Sequence, residues 1–303
     1  MSVATEALYS LAATLGIPWL RRRSGDAGAV VFAFHNVTDA VSRATPRDWP
    51  LHLSCADFAR HLDWISDAFR VVPLYELAAR AVAGLRTRGL AALTFDDAYR
   101  GVLAHALPEL RQRGLPSTLF VVSGASSSPG PFWWDVLEAG SRLSEVVRVS
   151  CLNELQGDGA RVVAALAPEG WPNPPDDCLP CSWRVLRDTA AADVTIGAHT
   201  VSHRNLLALP ESEAWEELTD SRARIAAELG APPSLHSYPY GLISRPIAEA
   251  ARRAGYAAAV TLQYGWVRPG DDPYALRRVN VPAGMSTEKL DCWAGGLRWI
   301  GSR

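Results

Sequence analysis

The chain has 303 residues, 48% of them apolar, with 30 Lys and Arg against 32 Asp and Glu. That length supports one large domain with a sizeable core, and a net charge of -2 gives no electrostatic footing for a general nucleic-acid role. No stretch is long and apolar enough to predict a membrane-spanning helix.

In chain order, residues 1–28 read as an N-terminal helix and a basic segment. Ala7 to Leu20 is mildly amphipathic and is followed by Arg21, Arg22 and Arg23. A secretory signal carries its positive charge before the apolar run, so the expectation is a cytoplasmic protein. The helix packs on the body, or else residues 5–23 lie on the inner membrane face with Trp19 and the arginines at the headgroups.

From residue 29 to 303 the pattern is one domain. Ala29–Phe34 predicts a strand ending at His35. Cys55–Phe69 has helical spacing, with Phe58, Leu62 and Ile65 on one face, and Leu74–Leu85 is a second helix. Strands are predicted at Ala91–Phe95 and Ser117–Val122, with a helix at Val102–Arg113 between them that Gly114 stops. Residues 126–180, rich in Pro, Gly and Ser, read as an insertion near the site mouth. Beyond it come a helix at Trp183–Ala191, a strand at Val194–Ala198, a helix at Glu211–Leu229, a strand at Leu235–Tyr238, a helix at Pro246–Ala254 and a strand at Ala257–Thr261. Apolar strands alternating with helices predict an α/β fold with a mainly parallel sheet or barrel, whose chemistry sits at the carboxyl ends of the strands. The five cysteines are odd in number and irregular in spacing, and Cys178 and Cys181 form a lone CxxC, so all are read as reduced thiols.

Two of these strands end in metal-binding side chains. Leu93-Thr94-Phe95 runs into Asp96 and Asp97, and Ile196-Gly197-Ala198 runs into His199 and His203. Neighbouring residues of a strand point to opposite faces, so the two aspartates converge only if the chain turns there. Histidines four apart share one side of a helical turn. Asp97, His199 and His203 then give a divalent cation three ligands and leave positions open for water and substrate, which favours catalytic zinc. Asp96 is left over to act as a base. Taken singly, an Asp-Asp pair also fits a helix start and an HxxxH two solvent-facing rings.

Thr94-Phe95-Asp96-Asp97, His199-Thr200-Val201-Ser202-His203 and Tyr238-Pro239-Tyr240-Gly241 together resemble the successive motifs of the polysaccharide deacetylases, the NodB-homology group or carbohydrate esterase family 4. The resemblance runs from about Val30 to Val281 and its third motif is similar to the exopolysaccharide branch. It implies a distorted seven-stranded (β/α) barrel and hydrolysis of N-acetyl groups from amino sugars. It also implies Asp97, His199 and His203 as metal ligands, Asp96 as base and the Tyr240 N–H as oxyanion donor.

Three positions depart from the family pattern. Ser237 stands where an Arg usually steers the base, and Arg278 in the β-prone Leu276–Val281 stretch is the expected substitute. No His follows His236, so the general acid is assigned to His35, as in the exopolysaccharide branch, with His236 as the rival. Ala98 replaces the usual Gly, so the backbone there either avoids positive φ or tolerates strain. Within the insertion, Trp133, Trp134 and Asp135 either bind sugar, by ring stacking and hydroxyl acceptance, or anchor the insertion to the barrel.

The expected substrate is an N-acetylated sugar or saccharide, soluble or linked to a lipid or nucleotide. The other readings are a non-catalytic saccharide-binding member of the fold, an O-deacetylase, or a two-His-one-carboxylate iron oxygenase.

Overall fold

Val30–Phe34 (VVFAF) and Leu90–Phe95 (LAALTF) carry apolar side chains at almost every position, so both faces of each strand must be covered. Parallel strands flanked by helices meet that demand. The computed structural model describes residues 3–39, 50–139, 143–167, 173–189 and 194–298.

Seven strands form the barrel wall: β1 (Val30–Phe34), β2 (Leu90–Phe95), β3 (Ser117–Val121), β4 (Val194–Ala198), β5 (Leu235–Ser237), β6 (Ala258–Val260) and β7 (Val279–Asn280). Their order is β7-β1-β2-β3-β4-β5-β6 and every pairing is parallel. A short eighth strand, Arg70–Val71, pairs with the start of β2. The sheet curls, and its seam lies between β6 and β7. There a single bridge joins Val260 to Leu276, supported by Thr261 N–H donating to the Leu276 carbonyl at 2.9 Å. This is the distorted seven-stranded barrel expected from the sequence.

Register aligns the strand tips. Phe34 pairs with Phe95, Phe95 with Leu119, Val121 with Ala198, Ala198 with His236 and Ser237 with Val260. The residues just past these pairs therefore share one rim. The helices of the outer layer start where side chains can cap them: Ser54 Oγ accepts from Asp57 N–H at the head of Cys55–Ala68.

Two helices differ from their expected form. The N-terminal segment is two helices, Val3–Thr14 and Ile17–Arg23, because Gly16 adopts φ 68° and Pro18 opens the second. The helix expected at 102–113 begins as a π segment, Val102–Ala106, before Leu107–Gln112. Pro108 has no N–H to give to the preceding turn, which widens instead. The insertion carries helices Trp133–Ala139, Glu145–Asn153 and Gly159–Leu166. Among the described residues, no helix is long and apolar enough to cross a membrane, and all five cysteines are free thiols.

Candidate active site

The strand tips turn sharply where the chemistry lies. Six residues other than glycine have positive φ among those described; Asp97 (70°), His203 (58°) and Tyr240 (58°) line one cavity, and Ala98 (52°) and Thr200 (66°) adjoin its lining residues in the chain. Left-handed backbone costs a non-glycine residue on the order of 1 kcal/mol or more and persists only where its surroundings impose it. Ala98 therefore tolerates strain rather than avoiding positive φ. Residues 199–203 are not helical, so the expected helical turn is corrected: Thr200 and His203 bend the backbone the left-handed way. Glu217, on helix Glu211–Leu229, holds that bend. Its carboxylate accepts from Val201 N–H (2.8 Å), Ser202 N–H (2.9 Å) and the Ser202 hydroxyl.

The bend brings three ligand atoms together. Asp97 Oδ1 lies 3.3 Å from His203 Nε2 and 3.6 Å from His199 Nε2, and the two Nε2 atoms are 3.1 Å apart. Ligands bonded to a tetrahedral cation at about 2.0–2.1 Å stand roughly 3.3 Å from one another. His199 Nδ1 is 2.7 Å from the Ser237 carbonyl, which can only accept, so Nδ1 carries the hydrogen and Nε2 presents its lone pair. Burial pushes the Asp97 carboxyl well above its ordinary range, with Asp96 and Asp135 adding to the rise, and burial pushes both imidazoles down. Asp97 Oδ1 has no hydrogen-bond partner. A carboxylate oxygen and neutral imidazole nitrogens facing one another form a donor set that a divalent cation fits.

Asp96 stands beside this set, held by Arg278 from the stretch that leads into β7. Arg278 Nη1 donates to its Oδ1 at 2.9 Å and Nη2 to its Oδ2 at 2.7 Å. The guanidinium also reaches Thr261 O (2.7 Å), Thr94 Oγ1 (3.1 Å) and Ser237 Oγ (3.0 Å). The small Ser237 thus receives the Arg that directly precedes β7. Burial alone would raise the Asp96 carboxyl, but Arg278, with His199 and His35, pulls it far below the usual carboxylate range. His35 follows β1 and neighbours Asp96 in register, since Asp96 N–H donates to Phe34 O at 3.0 Å. Burial lowers its pKa to about 4, against the raising effect of Asp96 and with help from Arg278 and His199. His35, Asp96, Asp97, His199, His203 and Tyr240 line one cavity of about 40 Å³. His236 is not on its wall: that ring is fully buried between Tyr238 and Tyr256, both centroids at 4.9 Å.

The polysaccharide deacetylase family model matches residues 84–259, more than half of the chain. The chain belongs to the polysaccharide deacetylase family. Such membership supports a deacetylase hydrolase acting on a saccharide. YxkH of Bacillus subtilis, assigned by name to these deacetylases, is 20% identical over 270 residues, 88% of this chain and 76% of its own. The fold is similar to that of IcaB from Ammonifex degensii (TM-score 0.62, 24% identity, 88% of this chain and 97% of that one). It is also similar to that of a de-N-acetylase from Aggregatibacter actinomycetemcomitans (TM-score 0.64, 17% identity, 88% and 99%).

On this family scaffold the insertion closes one side of the cavity. Trp133 and Trp134 line it, but at 3% and 5% exposure they leave little ring face open to a sugar. They pack instead: Trp134 stacks on Phe132 at 4.6 Å and meets His203 at 4.7 Å, while Trp133 Nε1 donates to Tyr240 Oη at 3.2 Å. Asp135 does not reach the cavity, so its expected contact with substrate hydroxyls is corrected. It is fully enclosed, accepting from Tyr99 Oη at 2.8 Å and paired with His52 Nε2 at 3.0 Å. Tyr99 accepts in turn from Trp134 Nε1 at 2.7 Å, which fixes that wall. Two residues escaped the sequence reading. Arg148, half-buried on the wall, sits in an unremarkable helix, and Glu217 lies 14 residues beyond the motif it supports.

Proposed function

We propose that the chain is a divalent-cation-dependent hydrolase that removes N-acetyl groups from an N-acetylated amino sugar or saccharide. The convergence of Asp97, His199 and His203 on one point, with Asp96 alongside in the grip of Arg278, carries this reading. Zinc suits the ligand set best. When bound, the cation supplies an acidified water and a Lewis-acid contact for the amide oxygen.

The chain's own groups do the rest. Asp96 accepts the proton of the attacking water, and Arg278 keeps that carboxylate ionised and aimed. The Tyr240 N–H donates to the charge developing on the former carbonyl oxygen. His35, neutral at pH 7 because burial depresses it to about 4, must gain a proton before it can give one to the leaving nitrogen. We assign the neighbouring Asp96 as its source. The products are acetate and a free amine.

We assign the narrow cavity to the acetamido group, with the sugar outside it. A groove of about 460 Å³ shares Trp133, Trp134 and His203 with the cavity and offers the saccharide a path. Arg148, on the cavity wall, is the candidate partner for the phosphates of a nucleotide-linked saccharide.

The test is turnover by zinc-loaded protein on N-acetylglucosamine oligomers, with acetate and free amine both measured. Equal yields of the two are expected, falling by at least ~100-fold in Asp96→Asn at unchanged metal content. Acetate without amine, from O-acetylated saccharides alone, would reassign the chain as an O-deacetylase. No acetate from any acetylated saccharide would leave a binding protein.

A further inference from the structure

Residues 8–23 expose far more apolar surface than anchoring to the barrel requires. Helix Val3–Thr14 buries Tyr9 and Ala12 against the body, where Trp293 Nε1 donates to Tyr9 Oη at 2.9 Å. Its outward face carries a second apolar stripe, Leu8, Leu11 and Leu15, at helical spacing. Ile17, Trp19 and Leu20 of the next helix extend it. These six side chains are between 39% and 62% exposed, and they are six of the fourteen large exposed hydrophobics among the described residues. Apolar surface concentrated in this way on one face marks a docking site.

What borders the stripe is cationic. A groove of about 420 Å³ beside Trp19 is lined by Arg22, Arg23, Arg86 and Arg88, with Asp67 as its one carboxylate among the lining residues. Arg22 is spent on Asp291, and Arg88 on the carbonyls of Arg23 and Ser24. Arg21, Arg23 and Arg86 are exposed and enter no ion pair among the described residues. The Arg23 guanidinium lies 4.1 Å over the Trp19 ring, which places a cation and an amphipathic aromatic at one edge. This local excess of positive charge sits on a chain whose net charge is -2.

From this juxtaposition of an outward leucine stripe, an exposed Trp and unpaired arginines, we infer that residues 8–23, together with Arg86, dock the protein on an anionic lipid surface. The apolar stripe enters the headgroup boundary and the guanidiniums meet lipid phosphates. Charge complementarity selects a bilayer over a second copy, whose matching face would carry the same arginines. Arg88 and Gly89 directly precede β2, so the groove lies at the amino end of the sheet while the catalytic side chains lie at the carboxyl end. Docking therefore keeps the cavity mouth clear of the bilayer. The inference is independent of which acetylated group the cavity takes.

Flotation of the full chain with phosphatidylcholine vesicles, with and without phosphatidylglycerol, tests it. Binding is expected only with phosphatidylglycerol at about 0.1 M salt, falling at least about tenfold near 0.5 M. Leu11→Ser combined with Leu15→Ser, and separately Arg23→Gln with Arg86→Gln, should each lower partitioning about tenfold without changing the melting temperature. Absence of binding to the anionic vesicles overturns the inference. So does a dimer, seen by light scattering, that the leucine changes dissociate, since the face then belongs to a second copy.

Discussion

Arg278 joins the chemistry to the architecture. Its five donor contacts reach both sides of the barrel seam, Thr261 past β6 on one and Thr94 on β2 with Asp96 just beyond it on the other. Replacing it with Met leaves the Asp96 carboxylate buried without its partner, a change that costs about 3–5 kcal/mol. Urea unfolding of Arg278→Met should show that loss, and Arg278→Lys should keep part of the stability while losing activity, because a single ammonium cannot reproduce the two-pronged grip. Glu217 acts at one remove. Changed to Gln, it turns an amide NH2 toward donors that need an acceptor, and the His199–His203 bend loosens. Zinc affinity by calorimetry is expected to fall about 10–100-fold, with the fold intact. Unchanged affinity would mean that the bend holds without it.

At the scale of elements, the strands were legible because a parallel strand buried on both faces must be an apolar run, and the side chains at its end are read directly from the sequence. The shape of the connections was not. Periodicity assigns His199 and His203 to a helical turn because it carries no information on left-handed backbone, and the Glu217 carboxylate that enforces the bend is remote from the motif. Asp135 looked available for substrate since its partners, His52 and Tyr99, lie 83 and 36 residues away. Helix Cys55–Ala68 carries a pH dependence of its own. Its His61 donates through Nε2 to the Met285 carbonyl at 3.0 Å, and burial holds its pKa at about 4. The unfolded chain takes up that proton near pH 6.5 and the native one only near 4, so this contribution is present above 6.5 and is lost as pH falls between the two values. The stability advantage of the native chain over His61→Gln should therefore narrow by about 2 kcal/mol between pH 7 and 5. A constant difference would show that His61 titrates normally.

For the molecule as a whole, the proposed ligand set draws on two separate strand tips, so a cation bound there would act as a cross-link. At a hundredfold excess over its Kd it adds about 2.7 kcal/mol. For a chain of this size that raises the melting temperature by about 4 °C. Calorimetry with zinc and then with a chelator should show the gain and its reversal, and His199→Ala should show neither.

The cluster of left-handed residues has a consequence for redesign. Three of the five positions with most to gain from relaxed backbone geometry, Asp97, His203 and Tyr240, are the ones proposed as ligands and oxyanion donor, so heat tolerance should not improve there without disturbing turnover. Ala98 stands apart, because its methyl is assigned no part in the chemistry, whereas the Thr200 hydroxyl accepts from His203 N–H at 3.0 Å. Glycine at that position offers relief at no catalytic expense.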